Sequence, residues 1–527
     1  MKTFLIAVTS LTAIFLLFFR DASGQVAVNS DGSQPNTSAM LEVKSSSKGF
    51  LLPRMTSFER TAITGAVDGL MVYDTDVKDI FIFRNGAWSQ SLSNGSGWRL
   101  AGNGGTNSAT SFIGTTDNVP LTFRTNNLQC GQINPALNNA SYGPRAFAFN
   151  STGVNNTVTG GYALFSNLSG GFNTATGALT LYENNGYNNS AHGFSAMYSN
   201  TDGYFNTANG SSALYHNTSA SRNTAIGANS LYTQSYSPGY AWESENVAVG
   251  YYALYFNQPV TLGTGVKNTA VGSSALFSNT QGYQNSSLGY NALYSNTQGT
   301  NNSAFGWQAL SANISGWQNT SFGANSMNSN TIGSYNTAVG FNTGPNANNL
   351  DNTTCLGIDA TATATNMVRI GNVFVTSIGG YQGWSNISDG RFKEDVEENV
   401  PGLDFITRLR PVTYRLDREK INEFTGVNKR RKETPESAPG SALPGRERYS
   451  EVTTGFIAQE VEVAAKNVGF DFSGVDAPKN ANDMYGLRYS EFVVPLVKAV
   501  QEQQDMIAEL KQQNAELLRR IENLEKR

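Results

Sequence analysis

Residues Asn206–Arg222 read NTANGSSALYHNTSASR, and at Asn223 nearly the same phrase begins again. An Asn four residues ahead of a Gly recurs at Asn156, Asn173, Asn189, Asn206, Asn223, Asn246, Asn268, Asn285, Asn302, Asn319 and Asn336. The step is 17 residues in most copies, contracts to 16 once, and lengthens around 231–245 and 256–267, where insertions fit. Four residues after each Gly stands Leu164, Leu181, Met197, Leu214, Leu231, Leu254, Leu276, Leu293, Leu310 or Met327, and in the eleventh copy Gly344.

A unit of 17 residues is too short to bury a core alone, so such units must stack. One Leu or Met per unit then forms an apolar column, small Ala and Ser let backbones approach, and Gly supplies corners at positive φ. Stacked Asn side chains can ladder from one unit to the next. The expected fold is mainly β: about eleven stacked 17-residue β-repeats over 156–345, forming a solenoid or a trimeric β-stalk or head. Residues 156–345 hold two basic side chains, Arg222 and Lys267, and four acidic ones, Glu183, Asp202, Glu243 and Glu245. Like charges stacked on one another would repel, which accounts for that scarcity. An aromatic ring follows the Leu/Met column at Phe165, Tyr182, Tyr198, Tyr215, Tyr232, Tyr255, Phe277 and Tyr294. Such a strip suits either a glycan or packing between units, and packing is the simpler reading.

Ahead of the repeats, Lys2 precedes the apolar run Phe4–Phe19, with the small residues Ala22-Ser23-Gly24 before Gln25. This is the pattern of a signal peptide over 1–24 and predicts a secreted or cell-surface protein. Residues 25–100 predict a small β region with a short helix at Ser57–Arg60 and a hairpin turn at Asn85-Gly86. The wording SAMLEVKSSSKGFLLPRM, GLMVYDTD and NGAW resembles the N-terminal segment of secreted Bacteroidetes tail-fibre-like proteins. Residues 101–155, rich in Gly, Asn and Thr, predict a linker or irregular β structure, and 346–387 a connector.

Charge returns at Ser388, beyond which lie 22 of the 36 basic and 25 of the 40 acidic residues. This segment, 388–527, predicts a small α+β domain: a helix near 402–409, a strand in RPVTYRL, a polar loop over 428–451, and GFIAQEVEVAAKN as strand turning into helix. The last helix carries a heptad seam over about 493–524: Val493, Leu496, Val500, Gln503, Ile507, Leu510, Asn514, Leu517, Ile521 and Leu524. A seam sustained over four heptads predicts a coiled coil, and Asn514 at an a position suits selection of register. The expected partner is therefore the chain itself.

ISDGRFKEDVEENVPGLDFITRLRPVTYRL, TGFIAQEVE and YGLRYSEFVVPLVKAVQEQ, in that order, resemble the peptidase S74 family. These are intramolecular chaperone domains at the C-terminus of phage endosialidases and tail spikes. The resemblance implies a domain that folds and trimerises the β-rich chain ahead of it, then cuts itself away. It implies Ser388 as nucleophile, Lys393 as general base and Ile387–Ser388 as the scissile bond. A serine needs a neighbour to take its proton. A lysine does so where burial or a nearby cation favours its neutral form, and Arg391 is the cation nearest in sequence.

Other chemistry is thinly represented. Cys130 and Cys355 form no metal-ligand spacing and could pair or sit free; the two histidines, His192 and His216, lie within repeats. No metal, cofactor or nucleic-acid partner is expected, with a net charge of −4 and no basic face. Three functions follow: a self-cleaving fibre or adhesin, the same fibre with its C-terminal domain kept as a non-cleaving clamp, and a glycan-degrading repeat region. The last lacks a convincing carboxylate pair.

Overall fold

In a computed structural model, residues 24–91, 106–107, 111–432 and 449–526 are described. The expected signal peptide and most of the polar loop lie outside the described residues. The chain divides at Gly114 into two compact units.

In the first unit, strand Val26–Asn29 pairs in parallel with Leu41–Lys44, and a separate sheet joins Arg54–Met55, Met71–Asp74, Asp79–Arg84 and Ala87–Gln90. Asn85 and Gly86 both take positive φ, as a tight hairpin turn requires. Helix Ser57–Thr61 starts at Thr56, whose hydroxyl accepts from Glu59 N while the Glu59 carboxylate accepts from Thr56 N. Inside this unit Arg60 Nε donates to the fully buried Asp74 at 2.8 Å. Burial pushes the Asp74 carboxyl up, but bonds from Val77 N, Arg60, Ser57 and Asp76 N outweigh it and hold the group far below its usual range.

The second unit is dominated by one sheet of sixteen strands. Its first two strands, Leu121–Thr125 and Leu128–Asn134, form an antiparallel hairpin that also pairs with Asn139–Tyr142. From there to Val368–Ile370 every neighbouring pair is parallel, and the strands are mostly three residues long, one per coil. This is a β-solenoid. Its ladder extends beyond the expected limits of 156 and 345, taking in Asn139 of the presumed linker and Ile370 of the presumed connector. In the C-terminal coils Thr353 and Met367 replace the Asn and only Gly357 and Gly371 remain, whereas the first coil keeps the spacing at Asn139 and Gly143.

Inside the coils Ala and Leu are packed without measurable exposure, as at Ala208, Ala213 and Leu214. The Leu/Met column from Leu164 to Met327 sits at φ of 50–53°. That left-handed region costs a non-glycine residue roughly 1–2 kcal/mol. The column tolerates it because each side chain is stacked between its equivalents, where full burial of a Leu is worth about 1.5–3 kcal/mol. Gly210, at φ +146°, could not be replaced cheaply: a Cβ there would lie 2.5 Å from the carbonyl carbon of Gly227.

Two buried Asn columns run through the stack as far as Asn336 and Asn330. In the first, the Asn206 side-chain oxygen accepts from Asn223 N at 2.9 Å and its amide donates to Ala220 O at 2.9 Å. In the second, Asn217 donates to Asn200 at 2.7 Å and to Ala220 O at 2.9 Å, and Gln234 stands in where the first insertion interrupts the column. The eight aromatic rings also stack, as with Tyr182 and Tyr198, whose centroids are 4.9 Å apart and planes 1° apart. Their faces are thus occupied by one another rather than offered to a sugar. Arg222, Glu243, Glu245 and Lys267 gather into one exposed group of ion pairs beside the insertions. Both cysteines are free, and burial pushes the Cys355 thiol up to about 11.

After Ile370 there is neither helix nor strand until the short turn Gly390–Phe392. The segment beyond packs Phe405, Val461, Ala464, Ala465, Phe472 and Phe492 into a small core of its own. Strand Val412–Tyr414 pairs with Thr453–Gly455, helix Ala458–Asn467 follows, and helix Val493–Glu525 ends the chain. The start of the expected polar loop is instead helical, Val427–Lys432, preceded by helix Arg418–Phe424 with Asp417 as its cap. Positions 433–448 lie outside the described residues.

Candidate functional site: the Ser388–Lys393 turn

Asp389 organises this site. Its carboxylate accepts from Arg391 N at 2.9 Å and caps the turn Gly390–Phe392, which Lys393 closes by donating its backbone N–H to Gly390 O at 3.3 Å. One tight turn between them brings the two ends of SDGRFK to the same side. Lys393 Nζ lies 2.9 Å from Ser388 Oγ, within hydrogen-bond reach. The sequence places four residues between one and the other; the capped turn converts that spacing into a contact.

Arg391 is directed elsewhere. Its guanidinium grips Asp389 at 2.5 Å, and this pairing holds the Asp389 carboxyl below its ordinary value. A cation so paired is spent on the turn, which makes Arg391 a positioning group within the turn. Asp389 is the residue that sequence reading underrated: the Asp-Gly step after Ser388 was the available signal for a capped turn.

The setting is open. Ile387, on the acyl side of the expected scissile bond, is 92% exposed, and Tyr381, Trp384 and Phe392 are also exposed. The seam of the terminal helix is likewise laid bare: Val493, Leu496, Val500, Ile507, Leu510, Leu517, Ile521 and Leu524 are all exposed large apolar residues, with Asn514 exposed among them. The base of that helix is anchored. Glu502 accepts from Leu403 N at 2.7 Å, and Gly402 approaches so closely that a Cβ would lie 2.7 Å from Ala499 N. Among the described residues no group of three or more His, Cys, Asp or Glu is placed to hold a metal ion.

The Ser388–Lys393 turn falls within one of two segments that match known families. Residues 388–470 match the Peptidase S74 family, described as a chaperone of endosialidase, and the match begins at Ser388 itself. Residues 28–109 match a phage tail like trimerisation region. No curated protein and no solved structure matches the chain. A trimerisation region, a β-solenoid and an endosialidase-type chaperone segment in that order fit a phage-tail-fibre-like protein.

Proposed function

We propose that the chain is a secreted or cell-surface fibre whose C-terminal segment assists folding and trimerisation of the solenoid and then severs itself at Ile387–Ser388. The observation that carries this reading is the 2.9 Å approach of Lys393 Nζ to Ser388 Oγ, on a capped turn between solenoid and chaperone segment. Lys393 in its neutral form takes the hydroxyl proton as Ser388 Oγ attacks the Ile387 carbonyl carbon. The tetrahedral intermediate collapses to an ester on Ser388, with the proton passing to the departing Ser388 nitrogen. Water then opens the ester, releasing the Ile387 carboxylate and restoring the Ser388 hydroxyl.

The open setting of the turn supports a reaction that waits for assembly. A lysine sheds its proton readily only when water is excluded from around it. Burial of the turn by neighbouring copies supplies that condition; the exposed seam favours a C-terminal coiled coil, and the trimerisation match over residues 28–109 favours three copies.

Expression of residues 25–527 beside Ser388→Ala and Lys393→Ala tests the reading on a denaturing gel. The expected result is a 140-residue fragment whose N-terminus is Ser388, absent from both variants. An uncut parent chain that nevertheless assembles would replace it with the second reading, a fibre that keeps its C-terminal segment as a clamp.

A further inference from the structure

The two ends of the solenoid are closed differently. A parallel stack ends in a coil whose backbone edge is unpaired, and such an edge invites further strands unless something covers it. At the N-terminal end the hairpin Leu121–Asn134 pairs with the first coil. At the other end the Asn ladder stops at Asn336, whose oxygen accepts from both the backbone N–H and the hydroxyl of Thr353, and no later Asn continues it.

What meets the last coil comes from beyond Ser388. Thr363 Oγ1, fully buried, donates to Asp483 Oδ1 at 2.5 Å. Asn480 Nδ2 donates to the carbonyl of the same Thr363 at 2.9 Å. Arg430, itself 7% exposed, reaches Thr361 Oγ1 at 2.5 Å. Nearby, Asn346 donates to Asn482 O at 3.4 Å, and the Arg418 guanidinium lies 5.4 Å from the ring centre of Phe374. Asp483 is held ready for this contact, since its carboxylate also accepts from Lys479 N and Met484 N. The solenoid side is equally fixed: Thr361–Ala362 pairs with Gly344–Pro345, and Ala362, Ala364 and Met367 belong to the continuous solenoid core.

We infer that Arg430 and the loop Asn480–Asp483 form a dock for the coil Thr361–Met367, so that the segment after Ser388 is the C-terminal cap of the solenoid. The dock recognises one side-chain hydroxyl, one carbonyl and a second hydroxyl of a threonine-bearing coil, a pattern that the Leu-bearing inner coils do not present. It therefore selects the terminal coil and holds it in register, giving the chaperone segment a template on which the stack can grow towards its N-terminus. The dock also lies on the far side of the proposed cut from the coil it binds. Severing Ile387–Ser388 breaks the backbone link and none of these contacts, so the cap stays bound after the cut.

The cut itself rests on the function proposed above; the dock does not, and the test keeps them apart. In full-length Ser388→Ala chain, a recognition sequence for a site-specific protease is placed in the exposed stretch 376–386 and cleaved after folding. Size exclusion under native conditions then reads whether the two pieces travel together. The expected result is co-elution for this chain and separation for Asp483→Ala. Thr363→Val, which keeps the shape and removes one bond to a charged group, is expected to weaken the association roughly tenfold or more, and it guards against a misfolded Asp483 variant. Pieces that separate as soon as the parent sequence is cut would overturn the dock, whether or not Ser388 ever cleaves. Co-elution unchanged in both variants would overturn it equally.

Discussion

The solenoid and the segment after it satisfy their polar groups in opposite ways. In the solenoid, Asn206 and Asn217 are buried with amide and carbonyl oxygen both engaged by the next coil. In the chaperone segment, Ser388, Lys393 and the helical seam face outward, and the Ser388–Lys393 contact is an exposed one. The first region is finished within one chain; on the function proposed above, the second is completed by other copies of it. Substitutions should therefore act on stability in the first and on assembly or cleavage in the second.

The largest expected contrast sets Leu214→Ala against Ser388→Ala. Truncating the fully buried Leu214 leaves a cavity in a stack that cannot close around it, at a cost of about 2–5 kcal/mol. Differential scanning calorimetry should show the solenoid transition lowered. Ser388→Ala should abolish the 140-residue fragment and leave that transition in place. If both variants lowered it alike, the turn would be part of the solenoid's structure rather than a separate device.

A smaller contrast compares two asparagines. Asn206→Ala strands the backbone N–H of Asn223 inside the stack and takes from the Ala220 carbonyl one of its two donors, leaving Asn217. Each unmade bond in a buried site costs about 1–3 kcal/mol. Asn514→Ala, on the exposed seam, should leave the solenoid transition unmoved and instead shift oligomer size or register, measured by analytical ultracentrifugation. An Asn206 variant as stable as the parent would mean that the ladder records the stacking without contributing to it.

Much of this division was legible in the residues. The Asn-to-Gly spacing announced the stack, because any chain repeating every 17 residues must reuse one backbone shape. The heptad seam and SDGRFK were equally plain, since helix period and turn chemistry are local. What escaped was decided by tertiary packing. The coil beginning at Thr353 lacks the Asn, yet its hydroxyl meets Asn336 in the same place. Helix Val427–Lys432 read as the start of a polar loop because its packing is not local; Arg430 finds a partner on the solenoid. Arg391 looked like a neighbour for Lys393 until the geometry paired it with Asp389. Charge along a sequence does not say which opposite charge the turn will bring closest.

The thiols provide a third, finer probe of the same contrast. Cys355 occupies the place of an inward Ala in its strand, paired with Ala338 below it, and is fully buried. With burial pushing its thiol up to about 11, it should resist alkylation at neutral pH until the solenoid opens. Cys130, half-buried at the N-terminal hairpin, should react first. Mass spectrometry of briefly labelled native protein reads the order directly, and prompt labelling of Cys355 would show that the last coils open while the rest of the stack holds.

The smallest expected effect lies in the aromatic column. Burial raises the Tyr198 phenol above its ordinary 10.0, and Tyr182, Tyr215 and Glu183 add to the shift. Tyr255 is raised in the same way by burial, Tyr232 and Tyr252. A raised folded value means that the folded state favours the neutral phenol. The stabilisation is thus fully present below the unfolded value and is lost as pH rises through the folded one. Thermal melts should fall as pH passes above about 10. Tyr198→Phe should blunt that fall while leaving the neutral-pH melt nearly unchanged, because the ring still stacks between Tyr182 and Tyr215. An alkaline fall of the same size in the Phe variant would place its origin outside this column, and the stacked rings would then be packing alone.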